Sequence, residues 1–475
     1  MPRHPFYRWH LPLITLILIA FWLRLPNLFH NSYHPDEALF ASWARLIGTW
    51  QDPTLLSTTV DKPPLLFYTQ ALFHYITDRA PWFARLPNFI TSILTIPLLA
   101  LGARRWHPAS SPLLPPLFLA TSPFAIQFAP SAFIDPWLTF WLLASIIALT
   151  THHPTTAAFT FALGLTSKYQ AALWLPLLFW LYLNQPDKSA RYHARLLLGL
   201  LPPLLLWLLW LHLRDLTPLS LWQNQWQNYG GVRLSWSWEL QPRLLAWLRL
   251  TPFLLGPPLL LLFLPTTKTT TTTTTTTGLA TFTLGYFLLH WLLAIPTWDR
   301  YLLPLVPFLA FLAATNGSAL LKKLPTHTHK IILPLLCLTL LLPALPARHG
   351  RYPLGATPHA DAGAATIATY LDTQPYGTIL YDYAHSWHWQ FYQLNKRLFI
   401  VWFPHPHALL TDLTTFAPPS PPPSATPTET NKRFITLPPT PYGQHLNQTL
   451  LEAGYTLTPI PITSAHQTTL YQITP

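Results

Sequence analysis

Long apolar stretches recur from near the N-terminus to about residue 346, and they constrain the fold more than any other feature. Several approach the roughly 20 residues that a helix needs to cross the hydrocarbon core of a bilayer. Only 9% of the residues are charged, against about a quarter in soluble domains. The sequence therefore predicts a polytopic α-helical membrane protein of about 11 spans, near 11–29, 82–103, 112–129, 136–151, 156–166, 171–184, 194–213, 251–265, 279–296, 301–319 and 330–346.

Two apolar segments need a separate interpretation. Residues 11–28 follow Arg3 and Arg8, lack a small-residue cleavage site and are succeeded by further apolar stretches. We interpret them as a retained anchor rather than a signal peptide. Residues 63–76 are apolar but short for a crossing, which favours an interfacial or re-entrant helix.

The basic residues are distributed as in membrane proteins. The net charge is +12, but Lys and Arg occur in small clusters between apolar segments, as the positive-inside rule expects. No basic stripe with groove-reading elements is present, so nucleic acid is not an expected partner. The sequence has one cysteine, Cys337, which lies inside an apolar run. A single cysteine can form neither an intrachain disulfide nor a metal–thiolate cluster.

The charges predict a functional face. If the N-terminus is cytoplasmic and residues 63–76 return to the side from which they came, Arg104, Lys188 and Lys322 fall inside. Of the ten acidic residues before Arg348, only Asp187 then lies inside. The positive-inside rule counts Lys and Arg rather than acids, so this asymmetry instead indicates a site on the extracytoplasmic face. The charged residues expected there include Asp36, Glu37, Asp61, Lys62, Asp135, Lys168, Asp299 and Arg300.

The character of the chain changes at Arg348. From Arg348 onward, apolar spans cease and six basic residues, Arg348 included, balance six acidic ones. Patterning predicts helices at 360–371 and 446–453, strands at 378–383, 397–403, 433–437 and 468–473, and a Pro/Ser/Thr-rich loop at 418–427. We therefore expect a membrane domain at 1–347 and a small extracytoplasmic α/β domain at 348–475.

Two segments of the membrane domain are interpreted as structural rather than functional. The Trp-rich polar stretch 214–249 is typical of an interfacial belt, although a lipid-binding platform is an alternative. The nine-threonine run 269–277 is interpreted as a tolerated loop insertion.

The acidic pair Asp36-Glu37 is the leading catalytic candidate. It stands just beyond the first span, and a carboxylate there can accept a proton from an attacking hydroxyl or hold a divalent cation. The alternative is that Asp36 caps an interfacial helix at 38–50. Asp135-Pro136 starts a later span and allows the same two interpretations. If Asp36 and Asp135 converge, the pair suits Mg²⁺ or Mn²⁺.

Three cations are candidates for binding a phosphate. Lys62 precedes Pro63-Pro64, Lys168 interrupts an apolar stretch, and Arg300 follows Asp299. Each has an alternative: a snorkelling lysine, a solvated turn and a self-satisfied Asp–Arg pair. The sequence contains no P-loop, dinucleotide glycine pattern, HExxH or G-x-S-x-G, so no nucleotide or redox cofactor is expected.

An ordered series of motifs resembles the GT-C class of membrane glycosyltransferases. The series comprises Asp36-Glu37 after the first span, Lys62-Pro63-Pro64-Leu65, Arg85-Leu86-Pro87, Asp135 at a span entrance, Ser167-Lys168-Tyr169 and Arg300-Tyr301-Leu302-Leu303-Pro304. It covers roughly residues 10–320 and is most similar to bacterial members such as protein O-mannosyltransferases and aminoarabinose transferases.

The resemblance implies a polyprenyl-phosphate-linked sugar donor and transfer at the extracytoplasmic face of the cell membrane. Asp36 then corresponds to the family's catalytic acid and Asp135 to the acid of its second outer loop. Lys62, and more weakly Arg300, would lie near the donor phosphate. The acceptor can be a lipid, a glycan or a protein, and the expected reaction is an inverting single displacement.

Two other functions remain open on the sequence. A transporter or flippase of a lipid-linked sugar would also need acids and cations, but they would be expected at mid-membrane, often with repeat symmetry. A non-catalytic scaffold would not need acids on separate outer loops. Convergence of the outer acids in one cavity would favour the enzyme.

Overall fold

The computed structural model describes residues 5–77, 82–108, 110–228, 233–263, 273–325, 327–355, 360–393, 398–416, 432–462 and 467–475. The chain forms two compact units. The first comprises Met1–Asn31 and Trp43–Thr357, and the second Ser32–Ser42 and Pro358–Pro475. The short segment 32–42 therefore belongs with the C-terminal residues, which the predicted division into 1–347 and 348–475 did not include.

The first unit is helical. Its helices, counting the one that begins in segment 32–42, are α1 Pro5–His30, α2 Pro35–Gly48, α3 Leu65–Ile76, α4 Leu86–Trp106, α5 Leu114–Thr121, α6 Pro123–Phe128, α7 Ile134–Thr150, α8 Pro154–Leu165, α9 Leu175–Leu183, α10 Ala190–His212, α11 Pro218–Asn228, α12 Ser237–Leu248, α13 Thr251–Leu255, α14 Thr274–Leu292, α15 Val306–Lys323 and α16 His329–Arg348. Short 3₁₀ helices occur at Phe83–Arg85, Tyr169–Trp174, Pro257–Phe263 and Asp299–Leu305.

Every predicted span contains a helix, as expected for a polytopic membrane protein. Within the described residues, four helices are long and apolar enough to cross a membrane: His10–His30, Phe83–Trp106, Ala190–His212 and Asp299–Lys323. A fifth crossing results if Ser237–Leu255 and Pro257–Phe263, bent by 110°, form one span. Several predicted spans are shorter or broken helices, so the total of about 11 stays a prediction.

The break between α5 and α6 has a local cause. Ser122 caps α6, because its side chain accepts a hydrogen bond from the backbone N–H of Ala125 at 3.0 Å. The carbonyl groups at the end of α5 are satisfied by the buried guanidinium of Arg24, which donates to Ala120 O at 2.9 Å and Leu119 O at 3.1 Å. A cation at a helix C-terminus also complements the helix dipole.

Helix α10 packs very closely on α8. A Cβ atom added at Gly199 would lie 2.2 Å from the carbonyl oxygen of Thr155, so a larger residue would force the two backbones apart. Glycine is therefore required at this crossing of two apolar helices.

One expectation for the membrane domain is corrected. The run 269–277 is not all loop, because α14 begins at Thr274 and Thr273 caps it by accepting from Thr276 N at 3.2 Å; residues 269–272 lie outside the described residues. The stretch 214–249 contains two amphipathic helices, α11 and α12, and its assignment to an interfacial belt stays a prediction.

The second unit contains a five-stranded mixed sheet with helices on both faces. Its elements are α17 Ala364–Leu371, β1 Ile379–Asp382, α18 Ser386–Tyr392, β2 Phe399–Trp402, α19 Pro406–Thr415, β3 Arg433–Leu437, α20 Pro441–Glu452, β4 Thr456–Ile460 and β5 Thr469–Thr474. The strand order is β2-β1-β3-β5-β4. Strands β2, β1 and β3 are parallel, while β5 is antiparallel to β3 and β4.

A buried apolar cluster covers each face of this sheet. Leu380 and Phe434 pack with α17 and α18, whereas Tyr381 and Ile435 pack with α19 and α20. Alternation of side chains along a strand supplies the two faces. The four predicted strands coincide with β1, β2, β3 and β5; the sequence did not indicate β4, α18 or α19, and the predicted loop 418–427 lies outside the described residues.

Candidate functional site

A buried ion pair in the first unit joins two of the predicted site residues. Asp135 lies in the first turn of α7 and is 1% exposed. Its Oδ1 accepts from Lys168 Nζ at 2.6 Å. Helix α7 begins at Ile134 with Phe133 as its N-cap, so Asp135 does not cap the helix and its carboxylate instead faces a cation.

Arg300 is the second cation at this carboxylate. Its Nε lies 3.8 Å from Asp135 Oδ2, a distance longer than a hydrogen bond. The guanidinium instead lies over two aromatic rings, 4.2 Å from the centroid of Trp298 and 4.9 Å from that of Phe133. Cation–π contacts therefore help to hold the guanidinium of Arg300 beside Asp135.

The environment of Lys168 is aromatic and positively charged. Lys168 lies between α8 and the 3₁₀ helix Tyr169–Trp174, and its Nζ is 4.4 Å from the centroid of Tyr301. Burial lowers the pKa of Lys168 to about 8; Asp135 opposes this shift, and the charges of Arg300 and Lys62 add to it. Arg300 and Lys62 thus both act electrostatically on Lys168.

Lys62 forms a pair with its own neighbour. Its Nζ lies 2.8 Å and 2.7 Å from the two carboxylate oxygens of Asp61, and both residues are buried. The two prolines that follow, Pro63 and Pro64, lead directly into α3. The ammonium group is therefore held at the start of a helix by an adjacent carboxylate.

An arginine that sequence reasoning missed fixes the backbone ahead of Arg300. Nη2 of Arg243 in α12 lies 2.6 Å from His290 O and 2.5 Å from both Leu293 O and Ile295 O, so its two N–H groups are shared among three carbonyl groups. These are carbonyl groups at and beyond the end of α14, which have no partner inside the helix. The Trp-rich stretch is therefore tied to the segment that leads into Arg300, and a charged Arg243 near the end of that stretch was the available sequence signal.

Asp299 supports the same segment rather than pairing only with Arg300. Its Oδ1 accepts from the backbone N–H of Arg300 at 2.7 Å and its Oδ2 from Gly355 N at 2.6 Å. The carboxylate therefore closes the start of the 3₁₀ helix Asp299–Leu305. Trp298, one of the two ring partners of Arg300, directly precedes Asp299 in the sequence.

The acidic pair Asp36-Glu37 lies in the second unit. Helix α2 begins at Pro35, and Glu37 Oε2 accepts from the backbone N–H of His34 at 3.0 Å. Glu37 is fully buried, whereas Asp36 is half-buried. His34 caps the helix, because its Nδ1 accepts from Asp36 N at 3.2 Å, and Glu37 bonds back to the N–H of His34. Asp36 itself lies inside the helix and does not cap it. The convergence of Asp36 with Asp135 stays a prediction.

The predicted divalent metal was assigned to Asp36 and Asp135. Among the residues that the structure describes, no group of three or more His, Cys, Asp or Glu side chains could hold a metal ion. Both oxygens of Asp135 already face cations, Lys168 and Arg300. A divalent ion at Asp135 would compete with these two side chains, so the donor set does not fit a metal and we derive no step through one.

An apolar cavity of about 420 Å³ lies between α3, α8 and α10. Its lining includes Pro64, Leu65, Leu163, Trp207 and Trp210. Pro64 and Leu65 follow Lys62 by two and three residues, so the apolar cavity adjoins the segment that carries this cation. This arrangement suits a ligand that joins an anionic head to a hydrocarbon chain.

Sequence comparisons match part of the chain. The family model described as dolichyl-phosphate-mannose-protein mannosyltransferase matches residues 61–211. An undecaprenyl phosphate-alpha-4-amino-4-deoxy-L-arabinose arabinosyl transferase of Pseudomonas fluorescens is 30% identical over 148 residues, covering 30% of this chain and 27% of the relative. The corresponding transferase of Pseudomonas aeruginosa is 26% identical over 231 residues, covering 46% of this chain and 36% of the relative. The aligned regions thus span about a third of the curated relatives.

Solved structures match over nearly the whole chain. ArnT from Cupriavidus metallidurans bound to undecaprenyl phosphate has a TM-score of 0.63 and 14% identity, with 98% of both chains covered. Its apo state gives a TM-score of 0.64 with the same identity. At this identity the likeness shows a shared fold. The matched segment 61–211, which contains Lys62, Asp135 and Lys168, and the ArnT-like fold together confirm the predicted resemblance of this chain to GT-C membrane glycosyltransferases.

Proposed function

We propose that this protein transfers a sugar from a polyprenyl-phosphate donor to an acceptor at the extracytoplasmic face of the membrane. The observation that carries the proposal is the pair of cations Lys168 and Arg300 at the buried carboxylate of Asp135, together with Lys62, which is paired with Asp61 ahead of α3 beside an apolar cavity. A lipid phosphate is the ligand whose head needs the cations and whose tail needs the cavity.

The relatives narrow the first substrate to test. The curated relatives are named for undecaprenyl phosphate and 4-amino-4-deoxy-L-arabinose, and one ArnT structure is bound to undecaprenyl phosphate. We therefore expect a pentose or hexose on a C₅₅-type polyprenyl phosphate, with the aminopentose as the first candidate. Lipid, glycan and protein acceptors all remain compatible with the site.

The reaction would be one displacement at the anomeric carbon. The acceptor oxygen forms a bond to that carbon while the bond to the phosphate oxygen breaks, and the acceptor proton passes to Asp36. The configuration at the anomeric carbon inverts. A general base typically contributes about 10²–10⁴-fold to such a step.

The cations would act on the leaving group. The donor phosphate diester carries one negative charge, and the departing phosphate monoester gains another. Lys62, Lys168 and Arg300 would stabilise this growing charge without protonating the oxygen. In this scheme Asp135 holds Lys168 and Arg300 in place, so its part in the reaction is indirect.

The test uses the full chain in liposomes with polyprenyl-phosphate sugars and an extract of envelope acceptors. Product formation is followed by mass spectrometry and by release of polyprenyl phosphate. We expect transfer by the wild type, none by Asp36→Asn, and unchanged transfer by Asp187→Asn, an exposed acid between α9 and α10. Wild-type turnover by Asp36→Asn would remove Asp36 from the mechanism.

The main rival predicts a different product. A flippase would move the lipid-linked sugar across the bilayer without releasing polyprenyl phosphate. Translocation without release by the wild type, across all donors tried, would therefore refute the proposed transfer.

A further inference from the structure

The acidic segment and the C-terminal residues form one compact unit, although more than 300 residues separate them. Segment Ser32–Ser42 carries Asp36 and Glu37, and residues Pro358–Pro475 carry the mixed sheet. Nothing in the proposed chemistry uses the sheet. The contacts between these two parts of the second unit therefore indicate what the sheet does for the reaction.

Two hydrogen bonds tie the segment to the starts of two helices. The backbone N–H of Asp361, just ahead of α17, donates to Ser32 Oγ at 3.1 Å. His388 of α18 donates from Nε2 to Tyr33 O at 2.9 Å. Asp361 is itself fixed, because its carboxylate accepts from Gly363 N and Ala365 N. Both anchors are thus parts of a rigid framework.

Tyr33 adds an apolar anchor. It is 1% exposed, and its ring meets that of Phe391 edge-to-face at 4.9 Å. His388 is 2% exposed, so its hydrogen bond to Tyr33 O forms away from solvent. A buried bond of this kind is costly to break, because the carbonyl group would lose its partner without gaining water.

The anchored residues are connected to the acidic pair by a continuous series of hydrogen bonds. Tyr33 is followed by His34, whose backbone N–H is held by Glu37 Oε2 at 3.0 Å and whose carbonyl accepts from Ala38 N at 2.9 Å. Asp36 lies inside this closed turn, with its own N–H directed to His34 Nδ1 at 3.2 Å. Displacement of Tyr33 would therefore displace Asp36.

We propose that the C-terminal sheet domain positions the acid Asp36, and that His388 is the positioning residue through which it does so. This inference rests on the proposed role of Asp36 as the base. His388 touches neither substrate nor reacting atoms, and it acts by holding the carbonyl group of Tyr33. The domain then has a function in transfer without a binding site of its own.

The test compares two buried histidines of the same domain. His388→Leu removes the hydrogen bond to Tyr33, whereas His388→Gln keeps a donor. His385→Leu is the matched control, since His385 is also buried but bonds to Asp382 and Thr468. All variants are made in the full chain and reconstituted in liposomes.

Hydrogen–deuterium exchange of residues 32–42 is the first readout. We expect at least tenfold faster exchange there in His388→Leu, with near wild-type exchange in His388→Gln and His385→Leu. Transfer kinetics are the second readout: kcat falls at least tenfold in His388→Leu with KM for the donor unchanged, and His388→Gln recovers most of it.

Each failure has a separate meaning. Unchanged exchange of residues 32–42 in His388→Leu, or an equal fall of kcat in His385→Leu, would overturn the positioning role. Faster exchange in His388→Leu together with a wild type that transfers no sugar would leave the positioning intact and refute the proposed function instead.

Discussion

Replacing Asp135 by Asn should destabilise the protein through Lys168. The change leaves the shape of the side chain almost intact but removes the negative charge that lies 2.6 Å from Lys168 Nζ. Both side chains are buried. Breaking a buried ion pair by removing one partner typically costs about 3–5 kcal/mol, because the other charge is left uncompensated.

The size of the effect can be bounded from the geometry. Two unit charges 2.6 Å apart interact by about 6 kcal/mol at an effective dielectric constant near 20. Lys168 can avoid this loss by releasing its proton, which costs about 1.4 kcal/mol per pH unit below an ordinary lysine pKa near 10.4, or about 5 kcal/mol at pH 7. We therefore expect a loss of roughly 3–5 kcal/mol in the free energy of unfolding at pH 7.

The stability of Asp135→Asn should also depend on pH in a characteristic way. If Lys168 is neutral in folded Asp135→Asn and protonated when unfolded, unfolding takes up a proton, and stability rises with pH by about 1.4 kcal/mol per unit. The double variant Asp135→Asn/Lys168→Met has no buried lysine, so it should be more stable than the single variant and lack this slope.

SDS titrations of the purified protein between pH 7 and 9 measure both quantities. Glu239→Gln is the matched control, because Glu239 forms its ion pair with Arg233 at the surface, where little change is expected. A single variant as stable as wild type, or a double variant no more stable than the single one, would refute the reasoning that these charges depend on one another.

Three further predictions follow from the site and the second unit. Because burial lowers the pKa of Lys168 to about 8, kcat/KM for the donor should fall as pH rises above about 8, and Lys168→Arg should shift that limb upward in a pH–rate profile. Trp298→Ala should raise KM for the donor about tenfold by releasing Arg300 from its ring contact, with Trp298→Phe recovering most of the loss. If Trp298→Ala and the wild type have equal KM values, the ring contact does not position Arg300. Burial lowers the pKa of His388 to about 4, so its folded value lies below the ordinary 6.5. Stability of the second unit is then complete above pH 6.5 and falls by about 3 kcal/mol as pH drops towards 4, whereas His388→Gln should flatten this dependence in urea titrations.

Hydropathy located the helices well because the bilayer leaves few alternatives to a helix for an apolar stretch. It did not separate α5 from α6, because the predicted span 112–129 is apolar on both sides of the capping residue Ser122. Strand β4 escaped prediction because Pro459 stands inside it, and proline is tolerated only at a sheet edge. Helix α18 is rich in aromatic residues, which are weak helix formers, and it depends on tertiary packing.

The candidate site was predictable in its residue types but not in its pairing. Asp135 and Lys168 are 33 residues apart, and no local pattern indicates their contact. The contact of Arg300 with aromatic rings could not be predicted for the same reason, although Trp298 directly precedes the Asp299-Arg300 pair. Glu37 was assigned to chemistry with Asp36, whereas the structure shows it closing the start of α2; the sequence cannot tell which of two adjacent acids turns inward.

The cap of α14 has an evolutionary consequence. Thr273 caps a helix whose first four residues are Thr274 to Thr277, and the residues from 269 to 272 are also threonine. Replication slippage that adds or deletes one codon in this tract would bring another threonine to the capping position, with the same hydroxyl and the same following turn. Natural length variants of the tract should therefore be neutral as long as one threonine remains ahead of the helix.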